Sequence, residues 1–256
     1  MRIDVLISTF SDRLNTLKLP EEKKNIQYII IHQKYNDETV DVSNIKNRKD
    51  VVYIKTDTIG LTTSRNIALN ASSAELKLIA DDDLGFIEGF DKKITDEYNQ
   101  NKFDIGIFKI KTLDSNEEFR TYPNQAKWFG YVNCLHVCSV EMVISRDCNI
   151  RFNEEFGLGG KFICGEESIF LFDAKKQKKK IRFSPEYIVT HPLESTATKI
   201  TDDVIKAKGA VYRYGFGRYL SLLFIFKLAF LSSFSKKFKL KKIKLFKLLL
   251  AGWYEI

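Results

Sequence analysis

The amino-acid sequence predicts an α/β fold: a mainly parallel mixed sheet with helices on both faces, extended at its C-terminus by a helical tail. Three observations carry this expectation. Apolar, β-branched runs alternate with segments of helical period from "IDVLIS" (3 to 8) onward, and a parallel sheet needs a crossover helix between its strands. A chain of 256 residues with 44% hydrophobic content can bury one large core, so one main domain with an appendage is favoured over two equal halves. The charge is uneven. Of the net +8, residues 205 to 256 carry +11, from twelve Lys/Arg against Glu255, so residues 1 to 204 carry about −3. The expected division is therefore a domain at 1–204 and a basic helical tail at 205–256.

Each element follows from its local pattern. "IDVLIS" reads as a buried strand, "DRLNTLKL" as a short helix, and "IQYIIIHQ" (26 to 33) as a second strand rich in β-branched residues. "DVVYIKT" (50 to 56) is a third strand, Gly60 precedes an amphipathic helix in "LTTSRNIALNAS" (61 to 72), and "LKLIA" (76 to 80) is a further strand. Downstream, "FIEGFDKKITDEYNQ" predicts a helix and "FDIGIFKIKTL" (103 to 113) a strand. "CSVEMVISRD" (138 to 147) is ambiguous between strand and helix, a second helix begins near Glu166, and "KIRFSPEYIVTHP" (180 to 192) predicts one or two short strands. No internal repeat interrupts the pattern.

Open parallel sheets bind ligands beyond the carboxyl ends of their strands. "STF" (8 to 10), "HQ" (32 to 33) and "DDD" (81 to 83) all stand at such ends. Three adjacent carboxylates disfavour one another's ionisation, and a divalent cation relieves the crowding: hard oxygen ligands suit Mg²⁺ or Mn²⁺. A solvated acidic loop is the alternative. The four cysteines form no CxxC pair and no N-terminal signal segment is visible, so a reduced, cytoplasmic setting is expected.

Taken in order, "DVLISTF", "GLTTSRNIAL", "DDD", "GLGGKFICGEESIFLFDA" and "IVTHP" resemble the family-2 glycosyltransferases over residues 1 to 195. The resemblance implies the GT-A fold, a Rossmann-like nucleotide-diphospho-sugar transferase architecture. It implies Asp83 as metal ligand and Asp81 directed to the ribose or the metal region, with Asp82 open to either role. Ser8, Thr9 and Phe10 are carried over as the nucleotide pocket. Arg65 offers a planar fork of donors to the diphosphate or base. An inverting transfer needs a carboxylate base; the second acid of the pair, Glu167, is the expected one, with Glu166 as the alternative, and a plain helix N-terminal charge pair is the structural reading. His191, before Pro192, is expected near the metal or diphosphate. The glycines at 157, 159 and 160 let the chain pass close to a sugar. The second strand departs from the family pattern: where an acid usually contacts the base, this chain has Gln33, which can both donate and accept. His32 and His136 have no pattern behind them, and Trp128 and Phe129 are expected mainly in packing.

The tail shapes the expected partners. "YLSLLFIFKLAFLSSF" (219 to 234) contains Lys227, and its uninterrupted stretches are shorter than the ~20 residues of a spanning helix. In "SKKFKLKKIKLFKLLLAGW", Leu240, Ile243, Phe246, Lys247 and Leu250 fall toward one helical side, as in a basic amphipathic helix lying on anionic lipid. The expectation is a transferase using a nucleotide-sugar donor, with a UDP-sugar foremost, and a glycan or lipid-linked acceptor, peripheral on the inner face of the cell membrane in cell-surface polysaccharide synthesis. No nucleic-acid partner is expected. Two other classes compete: a sugar-nucleotide nucleotidyltransferase, which would carry more glycine near the first strand, and a non-catalytic membrane-binding module.

Overall fold

A computed structural model describes residues 1–36, 39–192, 200–232 and 241–256. Among these residues, nine strands form one mixed sheet. β1 (Ile3–Phe10), β2 (Ile26–Gln33), β3 (Val51–Thr56) and β4 (Leu76–Asp81) are parallel, in the spatial order β3-β2-β1-β4. The chain runs outward from β1 through β2 to β3, then returns to place β4 on the other side of β1. That reversal makes the β1/β4 edge a switch point, with its crevice at the carboxyl ends. The register puts Ser8 beside Asp81 and Phe10 beside Gln33.

Beyond β4 the order continues β8 (Met142–Ser145), β6 (Ile105–Thr112), β9 (Ile181–His191) and β5 (Gly85–Phe86), with β7 (Lys127–Trp128) also on β9. β8 is antiparallel to both neighbours, while β6 and β9 run parallel and bring Thr112 beside His191. Four helices accompany the sheet: α1 (Ser43–Lys46), α2 (Leu61–Ala71), α3 (Phe90–Asn101) and α4 (Glu166–Lys176). Buried Val5, Ile7, Ile29, Ile31, Leu78 and Ile79 build the centre of the core. Each contributes roughly 1.5–3 kcal/mol on burial.

In three elements the structure supplies detail that the sequence expectation left coarse or open. The short helix after β1 is a 3-10 helix, Ser11–Thr16, and Ser11 enters it at φ 53, a left-handed conformation. "CSVEMVISRD" divides into a 3-10 turn, Ser139–Glu141, and the strand β8. "KIRFSPEYIVTHP" makes one strand rather than two, because the irregularity caused by Pro185 is absorbed as a bulge: Ile107 pairs Phe183, yet Lys109 pairs Tyr187. Proline has no N–H for the ladder, so the bulge is its natural place.

The tail folds back on the main body. α5 (Asp202–Phe226) is capped by the Thr201 side chain, which accepts from the Val204 N–H, and its first turns bury Ala207, Ala210 and Val211 in the main core. The expected boundary after residue 204 therefore falls inside a helix. By length and composition, Asp202–Leu231 would suffice to cross a membrane, but Gly217 breaks it with φ 69, ψ −173. The chain then reverses. Tyr212 and Phe224 bring their ring centroids to 5.8 Å, whereas a continuous helix would separate them by about 18 Å. The arm after Gly217, with its π-helical end Lys227–Leu231, is about 21 Å long, shorter than the ~30 Å of a bilayer core.

α6 (Lys242–Tyr254) packs on both arms. Its buried line is Leu245, Leu249 and Trp253, which join Ile205, Ile225 and Ala229 in a second apolar cluster. This corrects the expected amphipathic face: Ile243 and Lys247 are exposed, Phe246 and Leu250 are half-buried at the margins, and Leu240 lies outside the described residues. The phase is set by close helix crossings, where Gly209 meets the Leu249 backbone and Gly252 the Lys206 backbone. A side chain at either glycine would collide with main chain. Trp253 Nε1 donates to Ser221 Oγ at 2.7 Å, tying α6 to the second arm.

Candidate active site

Ser8, Thr9, Phe10, Gln33, Arg65, Asp81, Asp82, Asp83, Glu166, Glu167 and His191 all line one cavity of about 410 Å³ at the carboxyl ends of β1, β2, β4 and β9; of the three glycines expected near the sugar, Gly159 lines it, and Gly157 and Gly160 do not. The elements account for this directly. β1 ends at Ser8, Thr9 and Phe10, β4 at Asp81, and β9 at His191, while α2 brings Arg65 and α4 brings Glu166 and Glu167 from the opposite wall.

The three aspartates have three different environments. Asp82 is buried and fully engaged, accepting from Thr9 Oγ1 at 2.7 Å and from the Arg13 guanidinium at both oxygens. It holds the cluster in place. Asp81 accepts from Arg65 Nη2 through Oδ1 and turns Oδ2 toward His191 Nε2, 3.9 Å away. Asp83 receives Arg13 Nη2 on Oδ2 at 3.2 Å, whereas its buried Oδ1 has no hydrogen-bond partner among the described residues and faces His191 Nε2 at 3.8 Å. Burial pushes the Asp83 carboxyl up; His191 opposes the shift, and Asp81 and Asp82 add to it.

His191 is aimed by its neighbour. The Pro192 carbonyl can only accept, so the 2.6 Å contact makes Nδ1 the donor and leaves Nε2 for the carboxylates. Among the described residues no group of three His, Cys, Asp or Glu closes on a metal unaided. Two carboxylate oxygens and an imidazole nitrogen, one oxygen being buried without a partner, still form an open donor set of the kind that ligand oxygens complete.

Arg65 joins this pole to the other wall. Its side chain is only 2% exposed; Nη1 donates to Glu166 Oε1 at 3.1 Å, and Nη2 to Asp81 Oδ1 at 3.1 Å and Ser139 Oγ at 2.8 Å. Burial opposes its charge, but Asp81 and Glu166 outweigh burial and hold the guanidinium protonated. In this structure the donors of the fork expected to reach the diphosphate or base are taken by Asp81, Glu166 and Ser139 of the protein itself.

The acidic pair on α4 is divided in the same way. Glu166 is fixed by Arg65. Glu167 is half-buried on the cavity wall, and burial, reinforced by Glu166 and offset in part by Arg65, pushes its pKa up to about 8. Such a carboxyl is poised to exchange a proton near neutral pH. Gly165 begins the helix at φ 102 and lies against Val211 of α5, so a side chain there would force the two helices apart.

The remaining assignments are placed as follows. Gln33 lines the cavity, but its amide nitrogen donates to the Thr58 and Gly60 carbonyls at 2.9 and 3.1 Å, so it braces the turn before α2. Ser8 Oγ accepts from Ser64 Oγ at 2.8 Å, and Phe10 is open to solvent at the rim. Gly159 passes against Gly60, where a side chain would not fit. His32 is structural: Nε2 donates to the Ser11 carbonyl at 2.8 Å and Nδ1 accepts from the Tyr53 hydroxyl, while burial holds its pKa down. Phe129 stacks on Phe183 in the core, and Trp128 lies under Arg182, away from the cavity. Sequence reasoning missed Arg13, Ser139 and Val204, all of which line the cavity. Arg13 had a signal: three crowded carboxylates call for a nearby cation, and "STFSDR" supplies one just beyond a strand end.

The same arrangement of sheet and helices occurs in TarS of S. aureus. TarS 1-349 in complex with UDP-GlcNAc superposes with a TM-score of 0.64 at 16% identity, covering 100% of this chain and 79% of that one. The complex with UDP gives a TM-score of 0.62 at 16% identity, covering 93% and 75%. The fold is that of a GT-A-like glycosyltransferase. A further TarS structure superposes with a TM-score of 0.60 at 15% identity, covering 83% of this chain and 39% of that one. No protein-family model and no curated protein sequence matches the chain. Within a GT-A-like fold the cavity occupies the switch-point crevice, where ligands of open α/β sheets bind.

Proposed function

We propose that this chain is an inverting glycosyltransferase that moves a sugar from a nucleotide-sugar donor to an acceptor hydroxyl, with Glu167 as the general base. The observation that carries the reading is the pairing, within one cavity, of an open carboxylate and imidazole pole with a carboxyl whose pKa stands at about 8. A UDP-sugar is the first donor to test, because the fold is shared with a protein crystallised with UDP and UDP-GlcNAc.

The residues divide the work. Glu167 takes the acceptor hydroxyl proton as its oxygen attacks the anomeric carbon; the bond to the diphosphate oxygen breaks, and its electron pair leaves with the nucleoside diphosphate. Arg65 holds Asp81 and Glu166 in register, which keeps the base wall at a fixed distance from the Asp81/Asp83 pole. Asp83 Oδ1, Asp81 Oδ2 and His191 Nε2 would hold Mn²⁺ or Mg²⁺, the mixed nitrogen and oxygen set suiting Mn²⁺ better. A metal held there would supply Lewis-acid neutralisation of charge on the leaving group. The acceptor proposed is a glycan or lipid-linked sugar at the inner face of the cell membrane, in cell-surface polysaccharide synthesis.

A panel of nucleotide-sugars, with and without Mn²⁺, tests the reading through thermal stabilisation and donor turnover. One donor should raise Tm in a Mn²⁺-dependent way. Asp83→Asn should remove that dependence, and Glu167→Gln should keep donor binding while losing about 10³-fold in turnover. Undiminished turnover in both variants would sink the proposal.

A further inference from the structure

The arm after Gly217, taken through its π-helical end, has two distinct sides. One side, Ser221, Ile225 and Ala229, is buried against α6. The other carries Tyr219, Leu222, Leu223 and Phe226 at helical spacing i, i+3, i+4 and i+7, and these are 81%, 37%, 66% and 50% exposed. A soluble monomer seldom leaves such a contiguous stripe uncovered. Cations frame it: Arg218 and Lys227 at the two ends of the same arm, and Lys242 and Lys247 on the neighbouring α6, all exposed.

We infer that this stripe is the lipid-inserting face of the protein, and that it seats the helical hairpin in the interface of an anionic membrane. The charge chooses the occupant. A second copy would bring another strongly basic tail against the first, since residues 205 to 256 carry +11, whereas anionic headgroups attract each lysine by about 1 kcal/mol. The reversal at Gly217 sets the depth, because a short arm lying against α6 can enter the interface but cannot cross it. The inserting residues thus belong to α5; α6, despite its lysines, turns its apolar line inward and supplies the cationic margin.

The root of the same helix reaches the catalytic cavity through Val204, about 20 Å of helix from the turn at Gly217. Insertion therefore holds the cavity close to the bilayer surface, which suits a lipid-linked acceptor. That last consequence rests on the transferase reading; the inserting face does not.

The test is partitioning of the full chain onto phosphatidylcholine vesicles with and without phosphatidylglycerol. The wild type should bind the anionic vesicles, and the double variant Leu223→Asp/Phe226→Asp should bind at least tenfold more weakly, while Val52→Asp, an exposed apolar position on the edge strand, binds as wild type. Tyr219→Trp should be quenched by brominated lipid. Thermal stabilisation by a nucleotide-sugar, measured without vesicles, should be unchanged in the double variant, so the surface and the donor site fail or stand separately. Unchanged partitioning of the double variant, absence of quenching, or conversion of a dimer to a monomer with vesicle binding intact would each overturn the assignment.

Discussion

Two arginine–carboxylate nodes lie on either side of the 3-10 turn Ser139–Glu141, and they differ in how completely their carboxylates are satisfied. At the first, Glu141 is wholly buried and accepts from Arg120 Nε and Nη2 at 2.8 and 2.7 Å, from the Tyr122 hydroxyl at 2.7 Å and from the Cys138 N–H at 3.3 Å. Burial pushes its carboxyl up and these partners push it back. At the second, Arg65 is divided between Asp81 and Glu166, neither its Nε nor Asp83 Oδ1 has a hydrogen-bond partner among the described residues, and Glu167 rises to about 8. A closed network specifies packing; an open one keeps polar atoms available for a ligand. The comparison locates chemistry better than a count of acids, since both nodes hold buried carboxylates.

The comparison can be broken at its closed node first. Arg120→Ala should leave Glu141 uncompensated and cost about 3 kcal/mol of stability, read from denaturant midpoints. Turnover per folded molecule should hold constant below the melting range. A selective loss of turnover would mean that the closed node takes part in the reaction.

At the open node, Arg65→Lys retains the charge but cannot donate to Asp81, Glu166 and Ser139 with one planar group. Arg65 lowers the pKa of Glu167, so weakening its hold should raise that pKa further. The acidic limb of the kcat/KM profile should move to higher pH, with a several-fold loss of rate at pH 7. An unmoved limb would detach Arg65 from the base.

The smallest effect is on stability. Glu167 has its pKa raised on folding, so the folded state keeps a proton that the unfolded chain releases above about 4.5. Its contribution is therefore lost as pH rises from about 4.5 toward about 8. Glu167→Gln removes this loss, and the variant should gain about 1–2 kcal/mol on wild type at pH 8 compared with pH 5, allowing for partial exposure. Parallel stability curves for the two proteins would show that Glu167 does not carry the shift.

Much of this molecule was legible before any coordinates. Strand ends at Phe10, Gln33 and Asp81 follow from the alternation of apolar runs with polar breaks, and the helix opening at Glu166 from a glycine followed by two acids. Arg13 was legible only as a cation just beyond a strand end; its pairing with Asp82 in particular was not, because the two are 69 residues apart and meet only once β1 and β4 are adjacent. Nor was the inward phase of α6, because lysine and leucine alternate so densely there that several helical phases are equally amphipathic.

Sequence alone determined the α/β alternation, the residues at the strand ends and the concentration of positive charge in the tail, since these depend on local pattern and on sums along the chain. Tertiary structure decided which carboxylates remain open. Asp82 and Glu166 are spent on Arg13 and Arg65, while Asp83 and Glu167 face the cavity, a difference between neighbours of identical chemistry. It also decided which side of the tail is buried. The crossings at Gly209 and Gly252 set the helices so close that only one phase fits, and the stripe at Tyr219, Leu223 and Phe226 is left facing outward.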